Sequence, residues 1–449
     1  MERRIFAALQ DWKTSPSRKP LLLFGARQVG KTYALRDFGA RSYENVAFID
    51  FARDARAADI FEGSLDPRAL VAQIGAYLRM DIDPAKTLIV FDEVQLCERA
   101  LTALKYFCDD APTYHVAAAG SLLGVKLRRE QALFPVGKVD MLALHPLGFD
   151  EFLAALGEGR LAALIQESLA TNQSLGLHER ALELYREYLL VGGMPEVVDA
   201  FVSSGAGPAP LDHVRSKQLE IDQAYLADIA KYAPVGDMPR ISEAWASVPA
   251  QLAKENRKFQ YKAIRSGARA SQYEGALAWL VSTGTVTRCF RVGEGTAPLA
   301  TFEDRASFKL YKVDTGLLSA SYQALPEDVQ PSDDKAARFR GALAENYVMQ
   351  QLVSHDVLPH YWGTASRAEV EFVVRDREGN VVPIEVKSGT NVRSSSLGVY
   401  RRAYEPRYAV RISARNFCFE GGIRSVPLYA ACYLADELMG AGPMAGFVG

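Results

Sequence analysis

Four apolar residues, Leu21-Leu22-Leu23-Phe24, run directly into Gly25-Ala26-Arg27-Gln28-Val29-Gly30-Lys31-Thr32. An apolar run followed by the G-x-x-x-x-G-K-T spacing leaves little freedom of fold: it predicts a buried strand, a tight loop and then a helix. Gly25 and Gly30 let the backbone turn successive N–H groups onto phosphate oxygens, and a helix starting near Lys31 adds its positive end. Lys31 can reach the β- and γ-phosphates as a point charge, and the Thr32 hydroxyl is placed to ligate magnesium. These residues predict a nucleotide-binding P-loop for ATP and Mg2+. The bland alternative is a glycine turn before an ordinary helix. It is weakened by Tyr33-Ala34-Leu35-Arg36-Asp37-Phe38, which continues with apolar residues at helical spacing.

A second motif, Leu88-Ile89-Val90-Phe91-Asp92-Glu93, places two acids at the end of an unbroken apolar run. Such a run fits a strand buried on both faces, and ligand sites of α/β sheets form at the carboxyl ends of their strands. It reads as the Walker B element: Asp92 holds magnesium and Glu93 orients or deprotonates the attacking water. Acids also follow strands because turns are polar, which is the plain alternative. A third strand candidate, Tyr114 to Ala119, ends in Gly120-Ser121. If it lies between the other two strands, Ser121 can sense the γ-phosphate; it can equally be a helix cap.

The chain has 449 residues and a formal net charge of −2, so nucleic-acid contact has to come from local patches rather than overall basicity. Its five cysteines, Cys97, Cys108, Cys289, Cys418 and Cys432, form no C-x-x-C pair and read as reduced thiols. No apolar stretch approaches a membrane span, and charge appears too early for a signal peptide, so a cytoplasmic location is expected.

The expected architecture is α/β: a P-loop ATPase core with a parallel sheet over residues 1–150, a helical region over 151–235, a winged-helix module over 236–325 and a restriction-endonuclease-like α/β domain over 336–449. Gly192-Gly193-Met194-Pro195 breaks the helical region, Gly205-Ala206-Gly207-Pro208 marks a connection within it, and Glu327 to Lys335 reads as a linker. Lys254, Arg257, Lys258, Lys262, Arg265 and Arg269, interleaved with Phe259 and Tyr261, precede an apolar-faced helix with Ser271 as its cap. Thr285 to Arg291 then reads as a strand able to hairpin back. Helix, helix and β-wing is winged-helix order, and residues 254–269 are the candidate contact for DNA, favoured over RNA. A merely solvated basic face, or a protein-docking role for the module, competes with that reading.

The last constellation is Glu345 on a helical segment, Glu371 in Val370-Glu371-Phe372-Val373-Val374, and Glu385-Val386-Lys387 after an apolar run. A hairpin through Arg377-Glu378-Gly379-Asn380 sets Glu371 and Glu385 on neighbouring strands, with Lys387 on the same face as Glu385. Converging carboxylates bind magnesium, and a lysine beside them can assist phosphodiester cleavage. The spacing resembles the PD-(D/E)xK nuclease core, and an inactive version that only binds is the alternative to one that cleaves.

Taken together, the chain resembles a family of bacterial and archaeal AAA-type ATP-binding proteins with a C-terminal nuclease-like domain of unknown function. Beyond the motifs above, the resemblance rests on Leu144 to Phe152, Tyr188 to Glu196, Leu252 to Asn256, Lys309 to Leu318 and Pro383 to Gly389. It implies ATP hydrolysis coupled to a nucleic-acid or protein partner. The rival reading is a nucleotide-gated scaffold whose tail only binds. Gly137-Lys138 stands where the family shows G-R, Glu371 where aspartate is common, and Gly148 where serine is frequent. In a homo-oligomer, Arg128 and Arg129 are the candidates for an arginine finger.

Overall fold

The computed structural model describes residues 1–121, 137–205, 211–330, 337–364, 368–392 and 395–440. Arg128, Arg129, the 206–208 connection and the 331–335 part of the expected linker lie outside them. By Cα proximity the chain divides into one compact unit over 2–145 and a second over 146–281 and 285–440.

The first unit is built on five parallel strands in the order β2-β3-β4-β1-β5. They span Leu21–Phe24 (β1), Asn45–Asp50 (β2), Thr87–Asp92 (β3), His115–Gly120 (β4) and Asp140–Ala143 (β5). β3 and β4 are buried along their whole length, as their unbroken apolar runs require, whereas the edge strand β2 alternates. Helices Lys31–Ser42, Pro67–Leu78 and Glu98–Asp110 connect them. On one face Phe51, Phe61, Phe91 and Phe107 pack ring to ring, with Phe61 edge-on to Phe91 at 5.4 Å.

His115 starts β4 with its ring against Tyr43, whose hydroxyl lies 2.6 Å from Nδ1. Burial, followed by the charges of Arg18 and Lys13, pushes the imidazole down to about 4. In the unfolded chain the same group titrates near 6.5, so between these values the unfolded state binds more protons. Its contribution is therefore complete above pH 6.5 and declines as pH falls toward 4. Denaturation at pH 7 and at pH 4.5 will show the wild type losing about 1–2 kcal/mol more than His115→Gln; an identical loss in both would acquit His115.

The second unit begins with helices Phe149–Ala155, Gly159–Thr171, His178–Val191, Pro195–Ser203, Leu211–Tyr232 and Met238–Leu252, and carries a mixed eight-stranded sheet. Its strands are Val286–Val292 (β6), Glu303–Lys312 (β7), His360–Gly363 (β8), Glu369–Arg375 (β9), Val381–Val386 (β10), Ala409–Ser413 (β11), Cys418–Glu420 (β12) and Ile423–Pro427 (β13). The order is β12-β13-β11-β10-β9-β8-β6-β7. The expected hairpin forms, with β6 and β7 antiparallel, but not as a free wing. Arg291 and Val292 pair in parallel with Tyr361 and Trp362, so the hairpin is the edge of the C-terminal sheet. The expected boundary between a 236–325 module and a 336–449 domain therefore does not separate two sheets. Ser271 also falls within the helix Ala270–Ser282 rather than before it.

Several of the motifs behind the family resemblance meet in a packing joint. Asp314, fully buried, accepts from Gly193 N–H at 2.6 Å and caps Thr315–Ser321 through Leu317 N–H. A Cβ on Gly193 would meet the Leu147 carbonyl oxygen at 2.1 Å, and one on Gly316 the Val191 carbonyl oxygen at 2.2 Å. Gln350, on the helix Ala337–Ser354, donates to Asp314 at 3.2 Å and accepts from Thr315 at 2.8 Å; Gln351 accepts from Phe149 N–H at 2.8 Å. Gly148 carries no side-chain cap, and the Glu151 carboxylate takes its N–H at 3.0 Å instead. Among the described residues no helix is long and apolar enough to cross a membrane.

Candidate functional site

β1 delivers the chain into the phosphate loop at Gly25, whose φ of +146° and close approach to β5 both exclude a side chain. A Cβ there would lie 2.1 Å from the Leu144 carbonyl oxygen. Gln28 adopts φ 63° and Gly30, at the cap of Lys31–Ser42, φ 93°. These left-handed turns leave the first amides of the helix facing outward, as anion binding requires. Ala26 and Val29 are buried, whereas Arg27 and Gln28 are exposed. The Lys31 side chain folds over the loop, its ammonium donating to the carbonyls of Gly25 at 3.1 Å and Ala26 at 2.7 Å.

The Thr32 hydroxyl donates to Asp92 Oδ2 at 2.7 Å, so β3 brings its acid to the P-loop as the sequence predicted. Burial raises the Asp92 carboxyl above its usual range; the Thr32 hydrogen bond opposes this and the charge of Glu93 adds to it. The two oxygens fit magnesium, whose ligands are hydroxyl and carboxylate oxygens. Glu93 sits in the left-handed region at φ 50°, a conformation costing about 1 kcal/mol for such a residue and characteristic of functional turns. Its carboxylate accepts from Gln95, a buried partner absent from the sequence reading.

β4 lies between β1 and β3, with Gly120 opposite Phe24, and Ser121 follows it, buried. Ser121 thus stands at the carboxyl edge of the sheet, level with the loop. Lys138 does not. It precedes β5, at the opposite end of a parallel sheet, and pairs on the surface with Asp109 at 2.6 Å. An arginine-like role at the phosphates is excluded within this unit by that placement.

In the second unit, β9 and β10 pair antiparallel with Ile384 opposite Phe372, which sets Glu385 beside Glu371. Val386 N–H donates to Glu371 at 3.2 Å. Lys387 lies 3.6 Å from Glu371 and 3.7 Å from Glu385, and Arg411 on β11 pairs with Glu385 at 2.8 Å. The hairpin acids and the lysine are therefore together. Glu345 has other partners. Its carboxylate, 1% exposed, accepts from Lys309 at 2.9 Å, Tyr311 at 2.5 Å and Arg257. Lys309, fully buried on β7, also reaches Glu369 at 2.6 Å.

A metal-binding role for Glu345 is corrected by these contacts, because cationic side chains occupy the carboxylate. Among the described residues no group of three or more His, Cys, Asp or Glu side chains converges as metal ligands. Of the three acids expected to hold magnesium in a nuclease core, Glu371 and Glu385 are together beside Lys387, and Glu345 is paired with Lys309 and Arg257. Sequence reasoning missed Lys309 and Arg411. The available signal was the spacing of Lys309 and Tyr311, two residues apart and so on one face of β7.

The basic cluster is divided. Arg257 turns inward to Glu345, and Lys258 donates to Ser307 at 2.8 Å, while Phe259 stacks on Phe308. Lys254, Lys262, Arg265 and Arg269 remain exposed, Arg265 facing Glu243 at 3.5 Å.

Residues 17–153 match a family described as AAA domain, residues 182–333 a domain of unknown function (DUF8612), and residues 340–431 a domain of unknown function (DUF4143). No curated protein matches the chain. Among solved structures, a Walker-type ATPase of Pyrococcus abyssi is similar at 16% identity and TM-score 0.46, over 72% of this chain and 95% of that one. The Aeropyrum pernix ORC1 protein in complex with DNA is similar at 12% identity and TM-score 0.30, over 72% and 91%. The AAA match spans the P-loop, Walker B strand and Ser121, and supports an AAA-type ATPase core in the first unit.

Proposed function

We propose that the first unit binds ATP with magnesium and hydrolyses it, and that this cycle switches the second unit's engagement of a partner. The observation that carries the reading is the Thr32–Asp92 contact of 2.7 Å beside Lys31. Gly25 to Thr32 cradle the phosphates, Lys31 neutralises the β- and γ-oxygens, and Thr32 with Asp92 hold the metal. Magnesium held there supplies charge neutralisation across the phosphates. Glu93 orients the water for in-line attack, and Ser121 reports the γ-phosphate.

The partner reading follows the exposed cations of 254–269, Lys254, Lys262, Arg265 and Arg269, with DNA favoured over RNA as the nucleic acid they meet. For the tail, the neutralised Glu345 favours a binding role over cleavage. One observation favours the other reading: Glu371, Glu385 and Lys387 share one face within 3.7 Å. That reading keeps Glu371, Glu385 and Lys387 as catalytic residues.

Hydrolysis measured on the wild type and on Glu93→Gln, with and without duplex DNA and with magnesium or manganese, tests all three steps. Expected are turnover lost by about 100-fold in Glu93→Gln with ATP binding retained, DNA-dependent rates, and uncut labelled strands. Full turnover in Glu93→Gln would remove Glu93 from its role. Cleavage abolished by Glu385→Ala would restore the nuclease.

A further inference from the structure

Arg3, outside every motif above, reaches the phosphate loop from the start of the helix Ile5–Thr14. One Nη donates to the Val29 carbonyl oxygen at 3.1 Å and the other to that of His145 at 2.7 Å, and the side chain is nearly buried, with the residue 9% exposed. The fork thus ties the loop to the chain leaving β5. The same chain end supplies the Leu144 carbonyl that Gly25 approaches. Val29–Gly30 is a trans peptide, and in a trans peptide the C=O and the following N–H point in opposite directions. Holding the Val29 carbonyl on Arg3 therefore aims the Gly30 N–H to the other side of the loop, where such amides meet the α- and β-phosphates.

From this geometry we infer that Arg3 is a positioning residue for the nucleotide, fixing the Val29–Gly30 peptide before the phosphates arrive. The inference rests on the nucleotide reading of the P-loop. Lysine at this position can hold one carbonyl but lacks the planar fork that bridges two.

Calorimetric titration of the full chain with ADP and with AMP, and steady-state ATP hydrolysis, test it. Arg3→Ala is expected to weaken ADP about tenfold, the size of one lost charge-assisted contact, and Arg3→Lys about threefold. KM for ATP rises in step while kcat stays within about twofold, because the amide acts on bound and reacting phosphates alike. AMP affinity, which lacks the β-phosphate contact, changes less than ADP affinity.

A purely structural role would lower the melting temperature and leave ADP affinity as in the wild type; that result overturns the inference. If Arg3→Ala fails to fold, Arg3→Lys decides on the same ADP comparison. A wild type that binds neither ADP nor ATP instead refutes the P-loop reading, and the inference falls with it. Binding by the wild type with unaltered affinity in the variants refutes Arg3 alone.

Discussion

Lys31→Ala will weaken MgATP binding by roughly 100-fold or more while the chain stays folded. Lys31 is 7% exposed and its ammonium donates to two loop carbonyls, so it is already aimed across the cradle. On binding it exchanges those neutral acceptors for phosphate oxygens, and an ammonium facing an anion adds Coulomb attraction that a neutral carbonyl does not supply. Two such contacts, less the bonds given up, come to about 3 kcal/mol, which is the quoted factor. The carbonyls left behind cost about 1 kcal/mol of stability, too little to unfold the unit. Titration calorimetry on the variant and a melting curve separate the two effects. An affinity within threefold of wild type would mean that residues 25–32 are a turn and nothing more.

Lys309→Met is expected to destabilise the second unit by about 3 kcal/mol, the usual result of removing one partner from a buried ion pair. The ammonium lies between Glu345 and Glu369, and neither it nor Glu345 has solvent to fall back on. Arg257 and Tyr311 still hold Glu345 in the variant, which keeps the cost from the top of the range. Adding Glu345→Gln should recover a large part of the loss, since it discharges the carboxylate that Lys309 left behind. Urea denaturation of the two single variants and the double one gives the coupling directly. Losses that simply add, or a single-variant change under 0.5 kcal/mol, would show that Lys309 and Glu345 do not depend on one another.

The two units differ in how much of their chemistry was readable. The phosphate loop is eight consecutive residues, and a strand ending in Asp92 needs only its own apolar run to be recognised, so local pattern sufficed. β1, β3 and β4 were legible for the same reason. Glu345 was legible as an acid on a helix, but its partners were not. Lys309 is 36 residues earlier in the chain, and only the docking of β7 against the helix Ala337–Ser354 brings them together. The hairpin's further partner was hidden similarly: a hairpin has the same alternation whether its outer strand faces solvent or, like β6, pairs with a strand some 70 residues on at Tyr361. Gly193 and Asp314 lie in stretches that carry the family resemblance, but their physical content, a glycine with no room for a methyl group beside a buried cap, arises only in the folded chain.

That junction has a mechanical consequence. Asp314, Gly193 and Gln350 knit the chain between 147 and 203 to the strand-and-helix segment at 303–321 and to the helix that precedes the C-terminal strands. The three modules suggested by the sequence therefore share one keystone. Displacing any one of the three segments therefore strains hydrogen bonds to the other two, so a push on one is felt at all three.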